Sequence, residues 1–516
     1  MLVRVLTSSL AGIDAIPVEV ETDISQGLPA YTVVGLPAGA VRESGDRIRA
    51  AVRNSGFPFS GRKITINLAP AEVRKDGALL DLPIALSILC AEGVIPGDSL
   101  GKYLVAGELS LDGSVKPVRG ILSQALLASR LGLAGIIVPR ANAREAALVP
   151  DLSVVGVADL RSAAAILSGE AAPADTAGES AAPCRPAPPP ADLAEVAGQP
   201  VARRALEIAA AGAHALLFVG PPGCGKTMLA ERLPGILPPF SENEALETAQ
   251  IYSAAGEPPW PDVPEQRPFR APHFTISQAG LVGGGNPPRP GEISFAHGGV
   301  LFLDELGEFG RAAREALRLP LESGEIRIAR AGAACRFPSR FLLAAATNPC
   351  PCGQAGNPRR ICRCPPALRT AYARKFSGPI LDRIDLAVRL LPVPGCEWTD
   401  ASGSESSAAV RERVAACRML QRGRYGDRDG ASGGRTNGQA RLSLSDMAAA
   451  LQPDARSLLS RAADRMGLSG RVLGKACRVA RTIADLAGDR RVSLPHLAEA
   501  LQYRLPELSG DEEETG

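Results

Sequence analysis

The sequence predicts an α/β protein in three folded parts: a mixed α+β domain, a P-loop α/β core and a C-terminal helical domain. Three observations predict it. The apolar run Ala213 to Val219 leads into Gly220-Pro221-Pro222-Gly223-Cys224-Gly225-Lys226-Thr227 and then Met228 to Leu233, the order strand, glycine-rich turn, helix. An Ala/Pro-rich stretch, Ala171 to Pro190, has almost no large apolar side chain to bury and divides the chain. Beyond residue 396 the apolar periodicity is helical, interrupted by Ser/Gly-rich and Gly/Arg-rich segments. The expected parts are 1–168, a linker 169–192, the core 193–395 and the helical domain 396–516.

Composition limits the function classes. A chain of 516 residues has room for roughly three domains, each with its own core. Hydrophobic residues at 45% and charged residues at 22% are ordinary for a soluble globular protein. Aromatics at 4% argue against large stacking platforms for single strands. A net charge of +2, from 57 basic and 55 acidic residues, means that any basic surface must be local. No apolar run reaches the length of a membrane span, and the N-terminus lacks a signal-peptide pattern, so a cytoplasmic protein without a membrane partner is expected. The eleven cysteines then read as buried thiols or metal ligands rather than disulfides.

In the first part, Ile16 to Glu21, Ala30 to Val34, Lys63 to Leu68, Tyr103 to Leu109 and Gly135 to Pro139 read as strands. Arg42 to Asn54, Leu80 to Ala91 and Ile121 to Leu131 read as helices. The run Gly107-Glu108-Leu109-Ser110-Leu111-Asp112-Gly113-Ser114-Val115-Lys116-Pro117-Val118-Arg119-Gly120, with the helix and strand that follow, resembles the proteolytic domain of Lon-type proteases, a ribosomal S5 domain 2-like fold. That resemblance implies a Ser-Lys dyad, but Leu79 stands at the serine position and Leu122 at the lysine position. Aliphatic side chains supply neither nucleophile nor base, so no peptidase activity is expected. Lys75, Asp76 and Asp81 read either as a polar site or, more simply, as a solvated turn entering a helix.

In the core, the P-loop glycines let backbone N–H groups face a phosphate, Lys226 can reach the β- and γ-phosphates, and Thr227 can hold Mg2+. Gly299-Val300-Leu301-Phe302-Leu303-Asp304-Glu305 is a buried strand ending in two acids. Asp304 suits magnesium, and Glu305 suits the activation of water. Leu342 to Thr347 is a further strand ending in Asn348.

This order resembles AAA+ ATPases. The resemblance implies ATP as the nucleotide, a water-positioning role for Asn348, and an adenine-covering segment at Val196 and Gln199. Leu381-Asp382-Arg383-Ile384-Asp385-Leu386 resembles an arginine-finger segment; the alternative is an ordinary Arg–Asp surface pair. A long mobile loop is expected over 267–294 and a hairpin over 321–340. This pair of insertions resembles the magnesium-chelatase and MCM-helicase branch, in which such elements face the ring pore. Arg327, Arg330 and Arg336 would then touch a phosphate backbone, unless the hairpin is simply a charged solvent-facing one.

Cys350, Cys352, Cys362 and Cys364 form a C-x-C, nine-residue, C-x-C pattern in a loop with little core of its own. Four thiolates can close a tetrahedral structural Zn2+ site, and free or transiently oxidised thiols are the alternative. In the tail, Ala408 to Arg422, Ser443 to Leu451 with Ser445 as cap, Ala455 to Met466, Val472 to Leu486 and Ser493 to Gln502 read as helices. Such a set resembles the helical lid that follows an AAA+ core. Within it Arg471 matches the sensor 2 position facing the γ-phosphate, with Arg478 and Arg481 as rivals. Val472 to Lys475 depart from the aromatic and histidine expected there.

Together these features resemble the YifB/ComM family of magnesium-chelatase-like AAA+ ATPases over nearly the whole chain. The resemblance implies an ATP-driven homo-oligomer, expected as a hexamer. Its expected partner is single-stranded or branched DNA, on which it acts as a helicase promoting branch migration during recombination or natural transformation. A chelatase-type or protein-remodelling ATPase acting on a protein partner is the alternative.

Overall fold

The computed structural model describes residues 2–36, 41, 43–59, 61–72, 75, 77–172, 191–257, 266–330, 333–376, 380–394, 405–426, 435–440 and 443–503. Most of the expected linker with Cys184, Asp76, Arg42, Ala331, much of the two polar tail segments and the side chain of Arg330 lie outside the described residues.

The N-terminal sheet has seven strands in the order Ala30–Val34, Lys63–Ala69, Asp14–Ser25, Leu2–Ala11, Tyr103–Val105, Gly135–Pro139, Ser153–Val157. Leu2–Ala11 and Asp14–Ser25 pair antiparallel along their whole length. Alternation along them buries Val3, Val5, Val18 and Val20 under the helix Asp81–Ala91, which is apolar on every side and accordingly buried. The expected single strand over Tyr103 to Leu109 is two: Gly107 packs against Leu82 and Val115 and separates Tyr103–Val105 from a short ladder at Glu108–Leu109.

The second sheet has five parallel strands, in the order Phe269–Arg270, Val300–Leu303, Leu342–Thr347, Leu216–Val219, Leu386–Arg389. Continuous apolar runs suit strands covered on both faces. Phe218, Phe302, Ala344 and Ala346 face Ala205, Ile208 and the C-terminal helices through Val414, Val479 and Ile483. Leu217, Leu301, Leu343 and Ala345 face the other side with Ile293, Ile326 and Phe337. The C-terminal helices Ser407–Tyr425, Pro453–Met466, Gly470–Leu486 and Leu494–Gln502 thus share one core with the sheet. Ser443, not Ser445, caps its helix, because its hydroxyl accepts from the Asp446 N–H while Ser445 lies inside the first turn.

The expected long mobile loop over 267–294 is built of short elements. Helix Gln278–Val282 is capped by Ser277, the pair Gly283–Gly284 and Arg289–Pro290 forms a small ladder, and Glu292–Phe295 is helical. Arg267 is buried and donates to Pro238 O at 2.6 Å, and Arg270 pairs in a bidentate fork with Glu292. No helix among the described residues is long and apolar enough to cross a membrane.

Candidate nucleotide site

In a parallel sheet, the strand register decides which loops share an edge. Val219 pairs with Thr347, and Leu303 with Ala345. Gly220, Asn348 and Asp304 each follow within two residues of those pairs, so all three motifs leave the sheet at its carboxyl edge, where such sheets bind ligands. Gly225 takes φ +91° with open space around it, and starts the helix Lys226–Ala230. Cys224 is buried, and burial pushes its thiol up, so it serves as packing rather than as a nucleophile.

Lys226 Nζ donates to Gly220 O at 2.8 Å, Pro221 O at 3.0 Å and Asn348 Oδ1 at 3.0 Å. Burial lowers its pKa, but three acceptors around three protons hold it as a cation. Thr227 Oγ1 donates to Asp304 Oδ2 at 3.1 Å, the pairing expected of two residues that would hold one Mg2+. Glu305 is exposed, takes φ +53°, and donates its N–H to Asp304 Oδ1 at 2.9 Å. A glutamate in the left-handed region costs roughly 1–3 kcal/mol, which marks the position as held for its side chain. Gln199 Nε2 donates to Leu391 O at 2.7 Å, and Val196 is buried in the same core, so both stand beside the P-loop.

Arg383 is elsewhere. It ends the turn Leu381–Arg383, and Asp385 N–H donates to Ala215 O, ahead of the strand Leu386–Arg389. That is the amino edge of the sheet, the opposite end from Lys226, about 13 Å away along a four-residue strand. Arg383 pairs with Glu322 on its own chain. Arg471 lies at the same edge, 3.4 Å from Asp382. The structure does not bring Arg383 or Arg471 to the Lys226 site of the same chain. Arg478 stands 3.7 Å from Asp385, whereas Arg481 is buried and bound to Asp485 and the Arg490 carbonyl. Sequence reasoning missed Lys475. Its Nζ donates to Leu381 O at 3.1 Å and Ile384 O at 2.7 Å, bracketing Arg383. Only the departure at Val472 to Lys475 pointed to it.

The hairpin pairs Glu325–Arg330 with Ala333–Pro338, and puts Arg327 directly across from Arg336. Both reach Glu325 at 2.5 Å, which offsets the like charges, and their side chains stay 76% and 66% exposed. The buried side of the hairpin, Ile326, Cys335 and Phe337, packs with Ile13 of the N-terminal domain.

The four thiols converge. Cys350 Sγ lies 3.4 Å from Cys352 Sγ and 3.6 Å from Cys362 Sγ, and all four sulfurs lie within 4.8 Å of one another. These gaps exceed the roughly 2.05 Å of a disulfide. They match the edge of about 3.8 Å of a tetrahedron built on Zn–S bonds of about 2.3 Å. The donor set therefore fits zinc.

In the N-terminal domain, Leu79 and Leu122 are buried. The Leu122 N–H donates to Glu145 Oε1 and to Ser253 Oγ of the core domain, so the position that the resemblance matches to the lysine is buried where the two domains meet. The solvated-turn reading of Lys75 and Asp81 is corrected. Asp81 is buried in a bidentate pair with Arg47 at 2.6 and 3.0 Å, and Lys75 is buried against the carbonyls of Gly35 and Pro70.

A five-stranded parallel sheet with a P-loop, an acidic pair and an asparagine on one edge defines a P-loop ATPase site of the AAA+ class. The magnesium chelatase subunit ChlI family matches residues 192–397, a second description of the ChlI subunit of Mg-chelatase matches 20–142, and the ChlI C-terminal family matches 404–504. The chain is 43% identical over 501 residues to the uncharacterized protein YifB of Salmonella typhimurium, covering 96% of both chains. It is 42% identical over 502 residues to the competence protein ComM of Haemophilus influenzae, covering 96% of this chain and 95% of that one. The chain belongs to the YifB/ComM family of magnesium-chelatase-like AAA+ proteins. A shorter stretch, 131 residues or 24% of the chain, is 30% identical to 16% of the Lon protease of Chloroflexus aurantiacus.

Proposed function

We propose that this ATPase is a cytoplasmic ring motor, a homo-oligomer and specifically a hexamer, that drives a helicase reaction on DNA and promotes branch migration during recombination or natural transformation. The observation that carries the ring is the separation of Arg383 from Lys226 across the sheet. A guanidinium that cannot reach its own nucleotide is useful when a neighbour's P-loop edge docks against it, where it stabilises charge on the transferring phosphoryl group. Arg471 stands at the same edge and would join it. In this reading Glu305 takes the proton of the attacking water and Asn348 orients that water, while Thr227 and Asp304 would hold Mg2+, whose charge would offset that of the phosphates.

DNA as the cargo rests on two supports: the similarity to ComM, which is named for competence, and the exposed Arg327 and Arg336 on one hairpin. The four thiols hold a structural zinc ion. The match to chelatase subunit families favours a second reading, a chelatase-type or remodelling motor on a protein partner. Unwinding of forked and four-way DNA by the purified protein with ATP and Mg2+ tests the lead reading. No unwinding, no DNA-stimulated hydrolysis and no DNA binding at low salt would leave the second.

A further inference from the structure

The loop that carries the four cysteines leans on the P-loop. Gly353, between the first and second thiol pairs, takes φ +76°, and a Cβ there would sit 2.7 Å from Pro222 Cδ. The same loop starts at Asn348, which accepts from Lys226 and lies two residues before the fully buried Cys350. A third contact is Gly356, whose missing Cβ leaves the space that the Arg389 guanidinium fills, at the end of the strand beside Val219. Arg359 adds a bond to Val393 O at 3.2 Å. The loop thus touches the nucleotide site on the P-loop side and on the asparagine side.

Little but sulfur holds it in that place. Ile361, the one large aliphatic side chain between Cys350 and Cys364, is 90% exposed. The internal bonds are short-range: Gly353 N–H to Cys350 O at 2.8 Å, and Ala355 N–H to Cys350 Sγ at 3.3 Å. A segment with no apolar core keeps one conformation when a metal closes it. Without a cation the thiols take up protons and lose the bonds that tie the two ends of the loop together, and the loop would open.

We infer that the four-cysteine loop is a metal-set wall of the nucleotide site: zinc on Cys350, Cys352, Cys362 and Cys364 holds Gly353 against Pro222 and Asn348 on Lys226, so nucleotide affinity depends on zinc loading. This rests on the zinc reading above. Gly353 and Asn348 are positioning residues for the P-loop. Coupling of this kind is reciprocal, so bound nucleotide in turn slows zinc loss.

The test uses the full chain. Zinc per chain is measured by metal analysis, and the affinity for a fluorescent ATP analogue with Mg2+ by titration. Three samples are compared: the protein as purified, the protein stripped by a chelator that is then removed, and the stripped protein refilled with zinc. One zinc per chain is expected, with affinity falling about 5- to 150-fold on stripping and returning on refilling. Gly353→Ala keeps every thiol and decides the matter should stripping unfold the chain; it is expected to retain zinc and still lose affinity. Zinc present in the protein as purified, with affinity unchanged both after stripping and in Gly353→Ala, overturns the coupling and leaves the metal reading standing. A purified protein without zinc overturns the metal reading and this inference with it.

Discussion

Asn348 Oδ1 accepts a hydrogen bond from Lys226 Nζ at 3.0 Å, joining the end of one strand to the loop that follows its neighbour. The same ammonium is satisfied by two carbonyls of its own P-loop, so Asn348 is its only acceptor from another element among the described bonds. Lys226→Ala removes the phosphate-facing charge and is expected to abolish nucleotide binding. Asn348→Ala leaves that charge in place. Its expected signature is turnover down ~10²-fold, the size seen when one preorganised polar group is removed, with an affinity loss well short of that in Lys226→Ala. Equilibrium titration beside steady-state hydrolysis separates the two, and equal loss of binding in both variants would refute the division of roles.

Glu305 holds a left-handed backbone at φ +53°. Glu305→Gln keeps side-chain size and hydrogen bonding but no longer takes a proton, so it should bind ATP and hold it unhydrolysed. Glu305→Gly relieves the backbone and should raise unfolding stability by up to ~1 kcal/mol while turnover is lost. A denaturant series on both variants, with hydrolysis assays alongside, checks this. A Glu305→Gly protein less stable than the wild type would contradict the assignment of strain.

The carboxyl-edge site was legible because each motif carries its own local signal. Leu216–Val219, Val300–Leu303 and Leu342–Thr347 are short apolar runs, each ending in a polar group of a set type, and parallel pairing needs no further information to align them. What the sequence hid is whatever depends on contacts between distant segments. Lys75 and Asp81 look like turn residues, yet the neighbouring backbone carbonyls and Arg47 make their burial tolerable. Leu2–Ala11 alternates only over its first residues, and its polar Thr7-Ser8-Ser9 is buried although nothing local to it signals a strand in the middle of a sheet. Among Arg471, Arg478 and Arg481, rival candidates in sequence, only Arg481 is taken up inside the helical domain, by Asp485, while Arg471 and Arg478 stand near Asp382 and Asp385.

Arg383→Ala should bind ATP normally and hydrolyse it poorly. Mixed with the Lys226→Ala chain it should recover part of the activity, because each supplies what the other lacks at a shared site. Failure of the mixture, with both variants shown to co-assemble, would place Arg383 outside the reaction. Lys475 makes a second test of the same edge. Lys475→Met removes the two bonds that bracket the Arg383 turn, and should lower kcat by up to ~10²-fold with little change in nucleotide affinity, with recovery in Lys475→Arg. A change confined to thermal stability would reduce Lys475 to a packing role.

Asp192 gives a pH dependence with a defined sign. Its Oδ1 accepts from the Ala194 N–H at 2.8 Å and the Ser407 N–H at 2.9 Å, clasping the start of the core to the helix Ser407–Tyr425. Those backbone N–H groups, with the Ser407 hydroxyl and Arg232, hold its carboxyl below the usual carboxylate range. A depressed folded-state pKa means that the unfolded chain binds the proton more readily, so stability rises with pH through this window. The contribution is complete above the unfolded value of about 3.9 and disappears as pH falls through the folded one. Asp192→Ala should therefore cost ~1 kcal/mol at pH 7, the usual loss for a capping acceptor. Asp192→Asn keeps an acceptor without the charge and should cost less. Urea midpoints at pH 7 and pH 3.5 should show the wild-type advantage over both variants shrinking at the lower pH. An advantage equal at the two values would mean that Asp192 acts through its shape and not through its charge.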